Sequence, residues 1–477
     1  TDTQQYLSMR RDAYRNDGIV TFPANAYDVN GVWDQGRYTN WQKELIGKMA
    51  TGSITQASLS GGTENNTFLV SFSHNDQTTV FPGDFHYKTN ILNSSFSHSS
   101  ADRRFRIEAS NMFSSLSNNV VNTDLTLKAL TLSPNAPALY GADGNLNWEN
   151  NTFTNPLATL ESTYSNKVWQ WNSSVNLSYR FWKDFVLKAN GGINYQNLEE
   201  LSLLPSTMYN PAYGMTSENS SATKSSNTMF SYIIEPQLSW AKKLGNHELD
   251  ILVGTTFQET TTKLSSMTGV GFPSNALIGN IGAASTKIIS NQVTNPYRYA
   301  ALYARINYKW KDRYILNITG RRDASSRFGP SNRVAEFGAA GLAWLFTKEP
   351  IFDSWKWLSF GKLRASYGVT GSDFIGDYQF LNTYTIGDSN YDGVTGLYPS
   401  RLYNPAYSWE KTKKLETALE LGFLKDRIML TAAFYRNRST DQLVGIPLPS
   451  ITGFSNVTAN LGATVENRGW ELSLIHI

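Results

Sequence analysis

The chain has 477 residues, of which 17% are charged and 13% aromatic, and so much aromatic content with so little charge excludes a disordered chain. A net charge of +3 with scattered Lys and Arg leaves no footprint for nucleic acid, and no run of about 18 apolar residues offers a membrane helix. Cysteine is absent, which removes disulfides, thiolate metal sites and thiol nucleophiles together. A mean hydropathy of −0.37 beside so many aromatics suits a large β protein with one apolar and one polar face.

At the N-terminus, Asp2 and Thr3 can cap a helix over Gln4 to Arg15, with Tyr6, Met9 and Ala13 at helical spacing and Gly18 to end it. Trp41 to Met49 is expected to add a short second helix. From about Ser53 the apolar period becomes two and stays two. Val175, Leu177, Tyr179 and Phe181 alternate with polar residues, Trp182-Lys183-Asp184 turns the chain, and Phe185, Leu187, Ala189, Gly191 and Ile193 alternate again. The same pattern recurs around Trp310-Lys311-Asp312-Arg313 and Leu424-Lys425-Asp426-Arg427. Weaker turns are expected at Gly61-Gly62-Thr63, Ala101-Asp102-Arg103, Lys243 to Asn246, Asp353-Ser354 and Glu466-Asn467-Arg468. Eight turns give about 16 strands of roughly ten residues, a length that crosses an outer membrane. Long polar connections are expected at 197–230, 258–298, 321–338 and 370–412, opposite the short turns. Phe181, Trp182, Trp240, Trp310, Trp355, Trp357 and Phe423 lie beside the turns and would form an aromatic girdle at the membrane interface. Asn176, Arg180, Arg305, Asn307, Lys362 and Arg364 would then face the lumen. The pattern leaves a soluble multi-domain β protein open, because half-buried sheets also alternate. The sequence opens on Thr1 rather than Met and stops at Ile477 within an apolar run, so a piece of a larger protein is expected.

Several collinear segments resemble the SusC/RagA-type TonB-dependent outer-membrane transporters. These are Ser60-Gly61-Gly62-Thr63, Tyr314 to Pro330 (YILNITGRRDASSRFGP), Leu363 to Ser372 (LRASYGVTGS) and Asn404 to Thr412 (NPAYSWEKT). Tyr435 to Asp441, Pro447 to Phe454 and Glu466 to Glu471 complete the set. Ala324 stands where the family usually has Gly, and Ile475-His476-Ile477 fits the expected strand poorly. The resemblance implies an all-β fold: a large antiparallel transmembrane β-barrel of about 22 strands, of which this chain holds about 16, with the plug absent. Residues 1–50 would be the first long extracellular loop, and 51–477 barrel strands truncated at the C-terminus. The implied function is import of oligomeric nutrients, oligosaccharides ahead of peptides, across the outer membrane of bacteria of the Bacteroides group. A SusD-like surface lipoprotein would be the lid, and the TonB-ExbB-ExbD system would act through a missing N-terminal segment. A plug-less porin and a soluble surface-displayed glycan-binding adhesin remain the alternatives.

No enzymatic constellation emerges, and no cofactor, metal or nucleic-acid partner is implied. The five His show no metal spacing; His86 and His98 are expected on adjacent strand positions. Glu199-Glu200 is read as a solvated loop pair, since neighbours on a strand point to opposite faces and cannot flank one glycosidic bond. Arg321, Arg322 and Asp323, followed by Ser326, Arg327, Phe328 and Gly329, form the most distinctive motif. The cluster leaves a strand for a loop and either fixes that loop by ion pairs or lines the pathway. Tyr140, Trp148, Tyr384, Tyr391 and Tyr398, in long loops with Asn and Asp nearby, are candidates to contact a ligand or partner.

Overall fold

The computed structural model describes residues 2–476, with side chains for all of these except 388–391. Helices α1 (Thr3–Asn16) and α2 (Trp41–Ile46) come first. Asp2 caps α1 in a reciprocal capping box with Gln5, whose N–H donates to the Asp2 carboxylate at 2.8 Å. Strands β1 (Gly52–Gly62), β2 (Asn66–Thr78), β3 (His86–Ser99) and β4 (Phe105–Asn118) follow, then α3 (Thr126–Thr131). Next come β5 (Thr163–Trp182), β6 (Phe185–Leu204), β7 (Ser221–Leu244), β8 (His247–Val270), β9 (Thr286–Trp310), β10 (Tyr314–Ser325), β11 (Val334–Trp344) and β12 (Leu358–Ser372). The chain closes with β13 (Thr383–Tyr391), β14 (Val394–Arg401), β15 (Glu410–Phe423), β16 (Ile428–Thr440), β17 (Gln442–Pro447), β18 (Asn456–Leu461) and β19 (Val465–His476).

Fifteen of these strands form one antiparallel sheet in chain order, with β1 and β19 at its edges, while β13–β14 and β17–β18 are separate hairpins. Short connections and long ones alternate along most of the sheet, as the spacing predicts, but 326–333 between β10 and β11 is shorter than 345–357 between β11 and β12, the reverse of the expected order. Fifteen strands rather than 16 follow from one misread turn. Glu466-Asn467-Arg468 lies inside β19, where Glu466 faces Arg438 and Arg468 faces Arg436 across the pair with β16. A polar triplet resembles a turn in composition, but here its charges are paired between strands.

The strands also exceed the expected ten residues, β9 reaching 25. The connections expected at 197–230, 258–298, 321–338 and 370–412 shrink to 205–220, 271–285, 326–333 and 373–409. Beyond the apolar stretch both faces carry Ser, Thr, Asn and Lys, so period-two hydrophobicity vanishes while the backbone ladder continues. Arg321, Arg322 and Asp323 accordingly sit within β10 rather than leaving it. Glu199 and Glu200 sit in β6, not in a loop, opposite Lys167 and Asn166. His86 and His98 occupy the two ends of β3 rather than adjacent positions. Ile475 and His476 continue β19 opposite Met429 and Ile428, contrary to the poor strand fit expected; Ile477 lies outside the described residues.

Register divides the sheet into two faces. Phe185, Trp240, Ile251, Ile306, Ile318 and Ala340 are successive cross-strand partners and share one face. On the opposite face, Lys188, Gln237, Gly254, Tyr303, Arg321 and Phe337 make the corresponding polar row. Asn176, Arg180, Arg305, Asn307, Lys362 and Arg364 all have this second parity. The packed apolar clusters lie among the long connections instead. Residues 1–50 dock there: the Trp41 indole donates to the Ser133 carbonyl at 2.7 Å and the Trp33 indole to Thr152 Oγ1 at 2.9 Å, within a core that includes Leu45, Leu125, Phe153 and Leu157.

Candidate functional site

The polar face is hollowed where β7 to β12 meet the loop before β15, leaving a cavity of about 850 Å³ lined by Tyr297, Tyr299, Tyr303, Arg305, Arg321 and Asp323, among others. The lining is a product of period two. Tyr297, Tyr299, Tyr303 and Arg305 are alternate residues of β9, and Thr319, Arg321 and Asp323 are alternate residues of β10. Gly254 opens the middle of the row, because a Cβ there would lie 2.7 Å from the Tyr303 ring. The tyrosine therefore lies flat across its neighbour.

Arg321 organises one side. Its Nε donates to Asp323 Oδ1 at 2.6 Å, its Nη2 donates to the Tyr299 hydroxyl at 2.5 Å, and its guanidinium stands 5.7 Å from the Tyr303 ring centre. Arg327 organises the roof. Its Nε donates to Asp377 at 2.9 Å, its Nη1 donates to the Asp373 carbonyl at 2.9 Å, and it covers the Tyr297 ring at 4.3 Å. Tyr297 and Ser325 both donate to Asp373 Oδ2, at 2.9 and 2.8 Å.

Behind this network Phe328 is fully buried, 5.0 Å from Trp409 and 5.9 Å from Tyr407 between ring centres. The RDASSRFG and NPAYSW segments, far apart in the chain, thus form one aromatic roof. Gly329 lies against Phe380, and Ser326 Oγ accepts from the Arg298 N–H at 2.9 Å. Arg322 has the other parity and reaches Glu336 at 3.8 Å on the apolar face. The cluster read from the sequence therefore splits: Arg321 and Asp323 line the cavity, Arg327 and Phe328 fix the loop, and Arg322 points away.

The loop aromatics do not converge. Tyr140 lines a second cavity of about 710 Å³ with Phe85, Tyr209, Leu157 and Met215, among the long connections. Trp148 is half-buried nearby without lining it. Tyr384 and Tyr398 are exposed on the β13–β14 hairpin, where Tyr384 pairs with Pro399 and Tyr398 with Thr385, so they present opposite faces. The Tyr391 side chain lies outside the described residues. At the short-turn end, Phe181 and Trp182 meet Phe185 at 5.8 and 6.0 Å, and Phe185 meets Trp240 at 6.1 Å. Trp310 stacks on Tyr314, and Trp355, Trp357 and Phe423 form a stacked run at 5.5 and 5.8 Å. All seven expected aromatics thus follow one edge of the sheet.

Sequence reading missed Tyr297, Tyr299 and Tyr303, although they share the parity of Arg305 and Asn307 and could have been found from it. Among the described residues no cluster of three or more His, Asp or Glu could hold a metal ion. His86 is held by Asp76 at 2.7 Å and Asp84 at 3.0 Å. The cavity offers hydroxyls, amides, aromatic faces and two charges of each sign, from Arg305, Arg321, Asp323 and Asp373, which can bind and orient a polar molecule.

Comparison with known proteins agrees with this architecture. The profile of the TonB-dependent receptor-like β-barrel family matches residues 114–475. The chain is 26% identical over 440 residues to TonB-dependent receptor P39 of Formosa agariphila, covering 91% of this chain and 41% of that protein. It is 27% identical to TonB-dependent receptor SusC of Bacteroides thetaiotaomicron, covering 91% of this chain and 46% of that protein. The chain thus spans less than half the length of these relatives. The solved structure of the RagAB peptide transporter superposes with a TM-score of 0.76 at 23% identity, covering 93% of this chain and 50% of that one.

Proposed function

The chain belongs to the TonB-dependent receptor β-barrel family of the bacterial outer membrane, and from that premise we propose that it forms the barrel wall of a SusC-type importer of oligomeric nutrients. The division of the sheet into an apolar lipid face and a polar lumenal face, with the Tyr-lined cavity on the latter, carries this reading. Oligosaccharides are the preferred cargo: Tyr297, Tyr299, Tyr303, Gln237, Gln258 and Thr319 supply ring faces, hydroxyls and amides for sugars. Short peptides, the cargo named for RagAB, are the second reading, favoured by the opposed charges of Arg321 and Asp323.

In this mechanism no covalent step occurs. A SusD-like lipoprotein closes over the long connections, the TonB-ExbB-ExbD system displaces a plug, and cargo passes along the lumenal wall. The exposed residues of 1–50 and the cleft beside Tyr140 are the surface we assign to the lid. The aromatic edge from Phe181 to Phe423 is assigned to the periplasmic membrane interface.

Uptake by cells carrying the full-length protein tests the reading. Labelled oligosaccharide entry should require TonB and fall about tenfold or more in Tyr303→Ala, from loss of ring stacking worth about 1.5 kcal/mol. TonB-independent entry would support the porin instead, and entry of peptides alone would select the second cargo.

A further inference from the structure

The apolar face of β15, β16 and β19 changes character over five rungs, counted by direct cross-strand partners. Leu421, Leu430 and Leu474 share one rung, and Leu419, Ala432 and Leu472 the next. Thr417, Phe434 and Trp470 follow, the two rings 5.2 Å apart. Above them Leu415 meets Arg436 and Arg468, and then Lys413 meets Arg438 and Glu466. Lys411 has the same parity one step further.

The height is informative. Arg436 lies eight residues above Ile428 at the short-turn end, which at about 3.4 Å per residue and a tilt of about 40° is roughly 21 Å. That is the outer edge of an apolar band about 25 Å tall, directly above an aromatic layer. The charge is unbalanced there. Glu466 alone serves Arg436 at 2.8 Å, Arg438 at 3.2 Å and Arg468 at 3.9 Å, and among the described residues Lys411 and Lys413 form no ion pair. Elsewhere on this face Arg322 and Arg298 each have a carboxylate of their own, Glu336 and Glu259. Lys411, Lys413, Arg438 and Arg468 are exposed and Arg436 is partly buried.

Resting on the membrane reading above, we propose that Lys413, Arg436, Arg438 and Arg468 form a binding site for the phosphate groups of an anionic outer-leaflet lipid, whose acyl chains lie on the Phe434, Trp470 and Leu472 surface. Guanidinium groups match phosphate oxygens bidentately, and an aromatic layer below a cationic one places each part of such a lipid at its own depth.

The test uses the full-length protein in detergent, following loss of its heat-modifiable form on heating. Three probes are titrated: lipid A carrying its phosphates, the same lipid dephosphorylated, and inorganic phosphate. Wild type should be stabilised by the phosphorylated lipid alone. The Lys413→Ser/Arg438→Ser/Arg468→Ser variant should need roughly 100-fold more of it, at about fivefold per cation. The Lys413→Arg/Arg438→Lys/Arg468→Lys variant, which keeps every charge, should respond within a few-fold of wild type even if the serine variant does not fold. An equal response to dephosphorylated lipid or an equal response to inorganic phosphate would each overturn the proposal while leaving the barrel intact. A full-length protein that stays dispersed without detergent would overturn the membrane reading as well.

Discussion

Asp28 shows how single side chains hold the loop-borne helices. It accepts from Arg10 Nε and from the Tyr6 hydroxyl, both at 2.8 Å. Burial alone would raise its pKa, but those bonds outweigh it and the carboxyl titrates below its ordinary value. A lowered folded-state pKa gives stabilisation that is present above the unfolded value and lost as pH falls through the folded one. Amide exchange in α1 should therefore quicken below about pH 4, and Asp28→Asn should remove that acid step at a cost of about 2 kcal/mol to the docked segment. Phe328 is the apolar counterpart. Phe328→Ala should cost about 3–5 kcal/mol locally and loosen the RDASSRFG and NPAYSW segments together, read as protease sensitivity near Trp409. The Arg321 and Asp323 pair was legible as a motif, but its division between cavity, loop and apolar face was not. Composition does not report parity once a charged run leaves the hydrophobic pattern, and Arg322 faces outward for that reason alone.

At the scale of elements, the hairpins were the most legible part of the sequence because apolar alternation and turn chemistry agree there. The turn between β9 and β10 holds Lys311 and Asp312 at φ 51° and 53°, with the Arg313 N–H donating to the Trp310 carbonyl at 3.0 Å, a left-handed pair that glycine or asparagine fills at lower cost. Asp312→Gly should raise the unfolding midpoint, by roughly 1 kcal/mol, and a shift in the opposite direction would mean that the Lys309 ion pair at 3.4 Å outweighs the backbone strain. The same chemistry misled at Glu466-Asn467-Arg468, where three polar residues belong to a strand whose partners are charged too. The upper halves of β6 to β9 have the sequence of loops because Ser, Thr and Asn on both faces erase the period without breaking the ladder.

At the scale of the molecule, one sheet serves two environments. The apolar face needs no packed core, so its Leu, Ile and aromatic residues remain exposed in the protein alone, while packed cores form only among the long connections. This inversion explains why composition pointed to β structure yet left a soluble protein open, and why the resemblance decided what periodicity could not. It also explains why the tyrosine-lined cavity is not legible in the sequence, since residues on the polar face follow no hydrophobic rule. The absence of cysteine from this chain permits a direct test once any cysteine elsewhere in the full-length protein is replaced by serine. Single cysteines placed in turn from Leu316 to Arg321 of the full-length protein are spin-labelled in lipid bilayers, and collision with oxygen is compared with collision with a water-soluble nickel chelate. Labels at Leu316, Ile318 and Gly320 should favour oxygen, and those at Asn317, Thr319 and Arg321 the chelate. Uniform exposure to the chelate, or a preference without period two, would contradict a lipid-facing barrel wall.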